Sequence, residues 1–260
     1  MKQLKFLFTT IAILVLAACA TVPLTGRKKL SLVDEASIQT EAATAYKQFL
    51  SDPKTKVIAN STDAQRVKRV GTAIAGAISR YMQANGYGTQ YNYNWEFNLV
   101  ESKDINAWCM PGGKVAVYTG ILPVTQSDAG LATVMGHEIA HAIAGHSSER
   151  ASQTALAQAG GSVIGAATGS QTVAQLYGVG GQLTLLKYGR NQESEADRLG
   201  LIFMAMAGYD PQAAVSFWQR MATASQNGGT PEFLSTHPSD ATRIADIQKR
   251  LPEAMKYYKK

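Results

Sequence analysis

The stretch His137-Glu138-Ile139-Ala140-His141 is the most informative part of this chain of 260 residues. On an α-helix, residues four apart differ by about 40° of rotation, so the imidazoles of His137 and His141 project from one face. Two such imidazoles can bind one zinc ion. Glu138 lies beside them, where it can take a proton from water. The pattern therefore predicts a helix that carries two metal ligands and a general base.

The N-terminus has the features of a processed segment. Two lysines precede an apolar run over residues 6–18, which is too short to span a bilayer but typical of a secretory signal. The run ends in Leu16-Ala17-Ala18-Cys19, which resembles the lipobox of bacterial lipoproteins. We therefore expect residues 1–18 to be a signal peptide and Cys19 to be the lipidation site. An ordinary secretory signal with an incidental cysteine is the alternative.

Charge and cysteine content exclude other classes of protein. The formal net charge is +6, and no basic run is interleaved with aromatic residues, so nucleic acid is not an expected partner. If Cys19 is acylated, Cys109 is the only free thiol and no intramolecular disulfide can form. Residues 19–30 are interpreted as a lipidated tether. By resemblance to enterobacterial sorting, Ala20 after the cysteine favours the outer membrane.

Periodicity predicts a helix-dominated α+β domain over residues 31–260, with a small β-sheet beside the active-site helix. Apolar and polar residues alternate from Tyr91 to Leu99, which indicates a strand with one wet face. A second strand is predicted from Val115 to Tyr118. No internal repeat or composition break marks a second domain. Helices are predicted over 34–50, after Ser61, around His137, over 191–206, and after Pro211 and Ser239.

The third ligand of a hydrolytic zinc site must come from elsewhere in the chain, because such sites generally use three protein ligands. His146 has the wrong spacing. In the pattern His-Glu-x-x-His-x-x-Gly-x-x-His, the glycine and last histidine would replace Ala144 and Ser147. On a continuing helix, His146 would point about 180° from His137, so it could join the ligands only if the helix broke at Gly145. We expect His146 at the helix end or behind the ligands.

A second acidic segment supplies a better ligand. Glu193 and Asp197 are four apart and share a helical face, so Glu193 can bind the metal while Asp197 accepts a hydrogen bond from the outer nitrogen of a ligating histidine. Such a carboxylate selects the imidazole tautomer that binds the metal. Glu195 should face elsewhere, toward an arginine such as Arg190 or Arg198. The two segments together predict a site with two histidines and one glutamate.

The order of these segments resembles the M48 metallopeptidases, which are gluzincins. Asn106-Ala107 and Pro111-Gly112-Gly113, followed by the strand 114–120, are similar to that family's substrate-binding strand. The runs 141–150 and 235–238, with Arg243-Ile244, are similar to its periplasmic lipoprotein branch. The resemblance covers most of residues 30–250. It implies a zincin-like fold, one zinc ion per chain, and a compact member without a tetratricopeptide domain.

The resemblance also implies roles for particular residues. Zinc-activated water would hydrolyse peptide bonds of misfolded or unassembled envelope proteins, with Glu138 as general base. His237, whose backbone Pro238 biases away from helix, would stabilise the transition-state oxygen, or would be a fourth, inhibitory ligand at rest. An extended substrate would add to the sheet by β-augmentation. The residues expected to bind it are Asn106, Ala107, Gly113, Val115 and Val117.

Several alternatives stay open at this point. The chain could be a chaperone-like binding lipoprotein whose zinc site is structural or latent. A structural site closes all four metal positions with protein ligands, whereas a catalytic site keeps one for water. The Gly-rich segment 160–181 is either a mobile lid or a tightly packed helix pair. The expected location is the outer membrane, facing the periplasm, with an outer-membrane assembly machinery as a candidate partner.

Overall fold

The computed structural model describes residues 19–88, 91–168, 171–228, 231–237 and 242–259. The predicted signal peptide over residues 1–18 lies outside the described residues. The side chains of residues 160–188 also lie outside them, so both hypotheses for the segment 160–181 stay predictions. Within the described residues, no helix has the length and the apolar character needed to cross a membrane.

The strands form two separate sheets. A hairpin at the N-terminus pairs two short antiparallel strands. The larger sheet has the order β3-β4-β6-β5, in which β4 and β6 are parallel and the outer pairs are antiparallel. The strands are β1 (Cys19–Thr21), β2 (Lys28–Leu30), β3 (Val57–Ile58), β4 (Glu96–Val100), β5 (Ala107–Met110) and β6 (Lys114–Tyr118).

Helices make up most of the described chain, which confirms the predicted helix-dominated α+β class. The longer helices near the N-terminus begin at side-chain caps: Asp34, Ser61 and Ser127 each accept a hydrogen bond from a backbone N–H of the first turn. The helices are α1 (Glu35–Ser51), α2 (Thr62–Ala84), α3 (Leu122–Thr125), α4 (Asp128–Ala144), α5 (His146–Thr168), α6 (Gln171–Met206), α7 (Ala213–Gly228), α8 (Glu232–Thr236) and α9 (Arg243–Ala254).

Helix α4 is the centre of the core. Every residue from Gly130 to Ala144 is buried, and α6, β5, α2 and α7 pack around the helix. A helix that is apolar on all sides is stable only inside a protein. Its polar residues His137, Glu138 and His141 are therefore buried as well, and buried polar groups need partners. These partners come from α6 and from the chain after α8.

Two glycines let α4 and α6 approach closely. A Cβ on Gly136 would lie 2.9 Å from the carbonyl oxygen of Gly200, and one on Gly200 would lie 2.8 Å from the backbone nitrogen of His137. Any larger residue would force the helices apart. This contact brings Glu193 and Asp197, on α6, beside the histidines of α4.

The predicted strand from Tyr91 to Leu99 is only partly regular. The regular strand β4 begins only at Glu96. At this point Asn94 and Glu96 donate their backbone N–H groups to the carbonyls of Gly112 and Gly113, which lie in the turn between β5 and β6. The alternation still has a structural meaning. The aromatic rings on its apolar face stack in sequence: Tyr91, Tyr93, Trp95 and Phe97.

Residues 19–30 do not extend away from the domain as a tether would. They fold as the β1–β2 hairpin, in which Val22 is fully buried and the Arg27 guanidinium pairs with Glu149 and Glu195. The expected solvated linker is therefore a docked element of the fold. Lipidation of Cys19 stays a prediction.

Candidate metal centre

Four side chains from three parts of the chain converge on one point. His137 and His141 come from α4, Glu193 comes from α6, and His237 follows α8. One possible ligand atom from each lies within 4.8 Å of all the others. The helix with His137 and His141 and the segment with Glu193, which the sequence assigned to one site, therefore lie together. His237 lies with them.

The distances in this cluster suit a tetrahedral zinc ion. Zinc bonds of about 2.0–2.1 Å to nitrogen and oxygen place neighbouring ligand atoms about 3.3–3.4 Å apart. Nε2 of His137 lies 3.1 Å from Nε2 of His141 and 3.3 Å from Oε2 of Glu193. Nε2 of His141 lies 3.3 Å from Oε1 of Glu193. The donor set of two imidazoles and one carboxylate is also the chemistry that zinc prefers.

The outer nitrogen of His137 is held by a carboxylate, as predicted for Asp197. Nδ1 of His137 lies 2.9 Å from Oδ1 of Asp197. Arg243 donates two hydrogen bonds to the same carboxylate, at 2.9 and 2.7 Å, and its guanidinium stacks over the Trp218 ring. Burial opposes ionisation, but Arg243 and His137 outweigh it and hold the pKa of Asp197 below its ordinary value.

Arg243 has a role that sequence reasoning missed. The sequence placed it in a family-like run but assigned it no function. Its side chain is buried beside the metal cluster, where Nη2 lies 3.7 Å from Oε2 of Glu193. A partner on a separate helix carries no periodic signal, so spacing could not have identified it.

The outer nitrogen of His141 contacts His146. The helix ends at Gly145, whose left-handed φ of 66° starts a new helix at His146. This break turns the His146 ring under His141, so that the two Nδ1 atoms lie 2.8 Å apart. Although the helix does break at Gly145, the metal-binding cluster of the described residues does not include His146, which lies behind His141.

Glu195 turns away from the metal cluster toward an arginine, as predicted, but this arginine is Arg27 and neither Arg190 nor Arg198. Its Oε2 lies 3.0 Å from Nε2 of His146 and accepts a hydrogen bond from Nε of Arg27 at 2.7 Å. Arg27 lies far away in sequence, on the β1–β2 hairpin. Burial opposes the charge on Glu195, but hydrogen bonds from His146, Thr25 and Arg27 lower its pKa to about 2.

Glu138 lies where a general base is needed. Its side chain is buried, and Oε1 lies 3.3 Å from Nε2 of His237. The backbone of Cys109, on β5, lies close to this carboxylate and lowers its pKa. Burial raises the pKa of Glu138 above its ordinary value, against the opposing charges of His237 and His137. A raised pKa suits a carboxylate that must accept and return a proton near neutral pH.

The sheet edge beside the site belongs to β5. β6 pairs with β4 on one side and β5 on the other, and Val115 and Val117 are fully buried. The prediction that these two valines receive a substrate strand is therefore wrong, because both edges of β6 are already paired. Gly113 lies in the β5–β6 turn, where a Cβ would lie 2.7 Å from the Trp95 ring. Its position is explained by packing.

Asn106 and Ala107 lie at the start of β5, an edge strand of this sheet. The Asn106 carbonyl accepts from the N–H of Tyr118, so by alternation the backbone groups of Ala107 and Cys109 face away from β6. The backbone of Cys109 lies close to Glu138, which places this edge beside the base. β5 also packs against α4. Ala107 therefore has its backbone groups on the outer side of β5, unlike the valines of β6, but its N–H already donates to Oδ1 of Asn106 at 2.9 Å.

The chain has identifiable relatives. The model of peptidase family M48 matches residues 62–251. The mitochondrial metalloendopeptidase OMA1 of Schizosaccharomyces pombe is 33% identical over 243 residues, which cover 90% of this chain and 66% of that protein. Human OMA1 is 31% identical over 246 residues, covering 90% and 46%.

Bacterial relatives are also found. The β-barrel assembly-enhancing protease of Yersinia pestis is 30% identical over 188 residues, covering 66% of this chain and 39% of that protein. The chain thus spans between about two fifths and two thirds of the length of these relatives. The chain therefore belongs to peptidase family M48.

Proposed function

We propose that this chain is a zinc endopeptidase that cleaves misfolded or unassembled envelope proteins, as a lipoprotein of the periplasmic branch of the family. The observation that carries the activity is the spacing of His137, His141 and Glu193, which suits tetrahedral zinc, with Glu138 buried beside them. A purely structural zinc site has no use for a buried base at this position.

His137, His141 and Glu193 would hold the metal. When bound, zinc supplies a Lewis acid that lowers the pKa of water and polarises the scissile carbonyl. Glu138 accepts the proton of the attacking water and delivers it to the leaving amine. Asp197 and His146 hold the outer nitrogens of the two histidines, so that each imidazole keeps the tautomer that binds metal.

The substrate would bind as an extended strand along β5. The outer edge of β5 presents the backbone groups of Ala107 and Cys109, and Cys109 lies close to Glu138. Asn106 lies directly before this strand. Pairing with a sheet edge uses backbone groups, which every peptide has, and requires a locally unfolded chain. This mode suits a protease that acts on unfolded proteins with little sequence selection.

His237 would close the site at rest. Its Nδ1 lies 3.0 Å from Oε1 of Glu193 and 3.3 Å from Nε2 of His137, so it occupies the place that a fourth ligand would take. Catalysis requires that position for water. His237 must therefore swing away before cleavage. Its Nε2, which now faces Glu138, could then donate to the transition-state oxygen.

The names of relatives and the N-terminal sequence support the location. Two bacterial relatives carry the name β-barrel assembly-enhancing protease, whereas OMA1 is mitochondrial. The lipobox-like residues before Cys19 favour a lipid anchor on the outer membrane, facing the periplasm. Cys19→Ala should release the protein from the membrane fraction. A variant that still sediments with outer membranes would refute the anchor.

Zinc content measured beside casein cleavage tests the activity. Glu138→Gln should keep one zinc per chain and lose about 10²–10⁴-fold in cleavage rate. Glu193→Ala should lose most of the zinc, and Glu41→Gln, on the exposed face of α1, should match the wild type. Undiminished cleavage by Glu138→Gln would contradict the mechanism. Full zinc occupancy in Glu193→Ala would remove the third ligand.

The second candidate function is a chaperone-like binding lipoprotein. The observation that favours it is His237, which gives the site four protein donors in the described structure. Wild-type protein that holds zinc and binds unfolded casein but never cleaves it would establish this function instead.

A further inference from the structure

The N-terminal hairpin places the guanidinium group of Arg27 between two buried carboxylates. Nε of Arg27 donates to Oε2 of Glu195 at 2.7 Å, while its two terminal nitrogens donate to Oε1 and Oε2 of Glu149 at 2.7 and 2.8 Å. The Glu149 and Glu195 side chains are only 5% and 8% exposed. Charged groups this deeply buried are tolerated only when they are paired. Arg27 therefore fixes both carboxylates.

Of these two carboxylates, that of Glu195 is the one connected to the metal centre by further side-chain contacts. Glu195 Oε2 lies 3.0 Å from Nε2 of His146, whose Nδ1 lies 2.8 Å from Nδ1 of His141. Glu149 instead accepts a hydrogen bond from the side-chain amide of Gln192 at 2.9 Å. The two glutamates have similar burial and share Arg27, but they differ in what lies beyond them.

With both imidazoles neutral, the contacts admit one assignment of hydrogens. An ionised Glu195 only accepts, so Nε2 of His146 carries the hydrogen and Nδ1 of His146 is an acceptor. Nδ1 of His141 must then be the donor. Nε2 of His141, which faces Glu193 at 3.3 Å, is left with its lone pair free. That is the tautomer a neutral imidazole needs to bind zinc.

We propose that Arg27 is a positioning residue of the metal centre, which orients the zinc ligand His141 from the N-terminal hairpin. It acts through Glu195 and His146, which together with Arg27 form the positioning chain. The inference rests on the proposed ligation of zinc by His141. The hairpin begins at Cys19. The proposed lipid anchor therefore lies on the same hairpin as Arg27, whose contacts extend to the zinc ligand His141.

The same arrangement recurs on the other ligand, which supports this reading. The outer nitrogen of His137 meets Asp197, and Arg243 holds that carboxylate. The outer nitrogen of each of these two histidines is thus connected to a carboxylate that pairs with an arginine, directly for His137 and through His146 for His141. One arginine comes from α9 near the C-terminus, and the other comes from the β1–β2 hairpin.

A matched pair of variants tests the proposal by zinc affinity. Glu195→Gln and Glu149→Gln make the same change in two buried partners of Arg27, but only the first lies in the positioning chain. Competition with a chromophoric chelator should show zinc affinity about 10-fold or more weaker for Glu195→Gln. Affinity of Glu149→Gln should stay within about 2-fold of the wild type. Thermal unfolding of the metal-free proteins reports folding separately.

Variants of the hairpin complete the test. Arg27→Met should weaken zinc binding about 10- to 100-fold, Arg27→Lys should recover part of this loss, and Lys28→Met on the same hairpin should have no effect. Adding Arg27→Met to Glu195→Gln should cause little further loss, because both changes break one chain of contacts.

Three results would overturn the proposal. Equal losses in Glu149→Gln and Glu195→Gln would show that the hairpin only stabilises the fold, and so would additive losses in the double variant. Unchanged affinity in Glu195→Gln would show that His141 needs no such support. His141→Ala serves as the separate check: wild-type zinc affinity in that variant would refute the proposed ligand set itself.

Discussion

Nδ1 of His137 lies 2.9 Å from Oδ1 of Asp197, so the inner nitrogen of that imidazole faces the other metal-binding groups. The two residues come from different helices, α4 and α6, whose backbones touch at Gly136 and Gly200. Helix packing therefore places the carboxylate behind the ligand, and Arg243 keeps it there with two hydrogen bonds.

Loss of the charge on Asp197 should weaken zinc binding. In Asp197→Asn, an amide replaces the carboxylate that orients His137, and we expect zinc affinity to fall about 10- to 100-fold. Chelator competition measures the change. Asp246→Asn is the control, since its carboxylate lies at the surface beside exposed Lys249. Equal zinc affinity in Asp197→Asn and wild type would show that orientation of His137 does not depend on this carboxylate.

Removal of the His237 ring should open the fourth position of the site. In a Glu138→Gln background, which prevents self-cleavage, His237→Ala should bind a small hydroxamate inhibitor more tightly, because no imidazole competes for the metal. Calorimetric titration of the zinc-loaded protein measures this affinity. The same affinity with and without His237 would mean that the ring does not block the metal at rest.

A methyl group at Gly200 should disrupt both the fold and the metal site. Its Cβ would lie 2.8 Å from the backbone of His137, so we expect Gly200→Ala to lose about 1–3 kcal/mol of unfolding free energy and to bind zinc more weakly. Denaturant unfolding of the metal-free protein gives the first quantity.

Gly76→Ala is the matched control for this change. Gly76 also lies in a helix, but its Cβ would meet only the flexible end of Arg80, at 3.4 Å. Alanine has a higher helix propensity than glycine, so this variant should be neutral or more stable by up to about 1 kcal/mol. If both alanine variants behave alike, the close contact between α4 and α6 is not important for stability.

The start of α4 should make stability sensitive to acid. Burial opposes ionisation of Asp128, but Arg69 and Arg66 outweigh it and hold the pKa of Asp128 below its ordinary value. A lowered folded-state pKa means that the ion pairs stabilise the fold above the ordinary pKa. The contribution is lost as pH falls through the folded value.

Asp128→Asn should therefore be less stable than the wild type at pH 7, and the difference should vanish in strong acid. The expected loss at neutral pH is about 0.5–1 kcal/mol, because these pairs are partly exposed. Thermal unfolding of the metal-free proteins from neutral to acidic pH measures it. A difference that stays constant as the pH falls would contradict the role of the ion pairs.

Local spacing was sufficient to predict the centre of the site. Residues four apart share a helical face wherever the helix lies, so His137 with His141, and Glu193 with Asp197, could be paired from sequence. The structure confirms that these four residues come together. The helix-dominated α+β class followed from periodicity in the same way, and membership of family M48 is confirmed.

Partners far apart in sequence were decided only by the tertiary structure. Helical period showed that Glu195 turns away from Glu193, but not that Arg27, 168 residues earlier, would meet it there. The sequence predicts β6 as a strand, but only the sheet order shows that both its edges are paired and that β5 is an edge strand of the described sheet. Periodicity reports the geometry of one element, whereas these contacts depend on how separate elements pack.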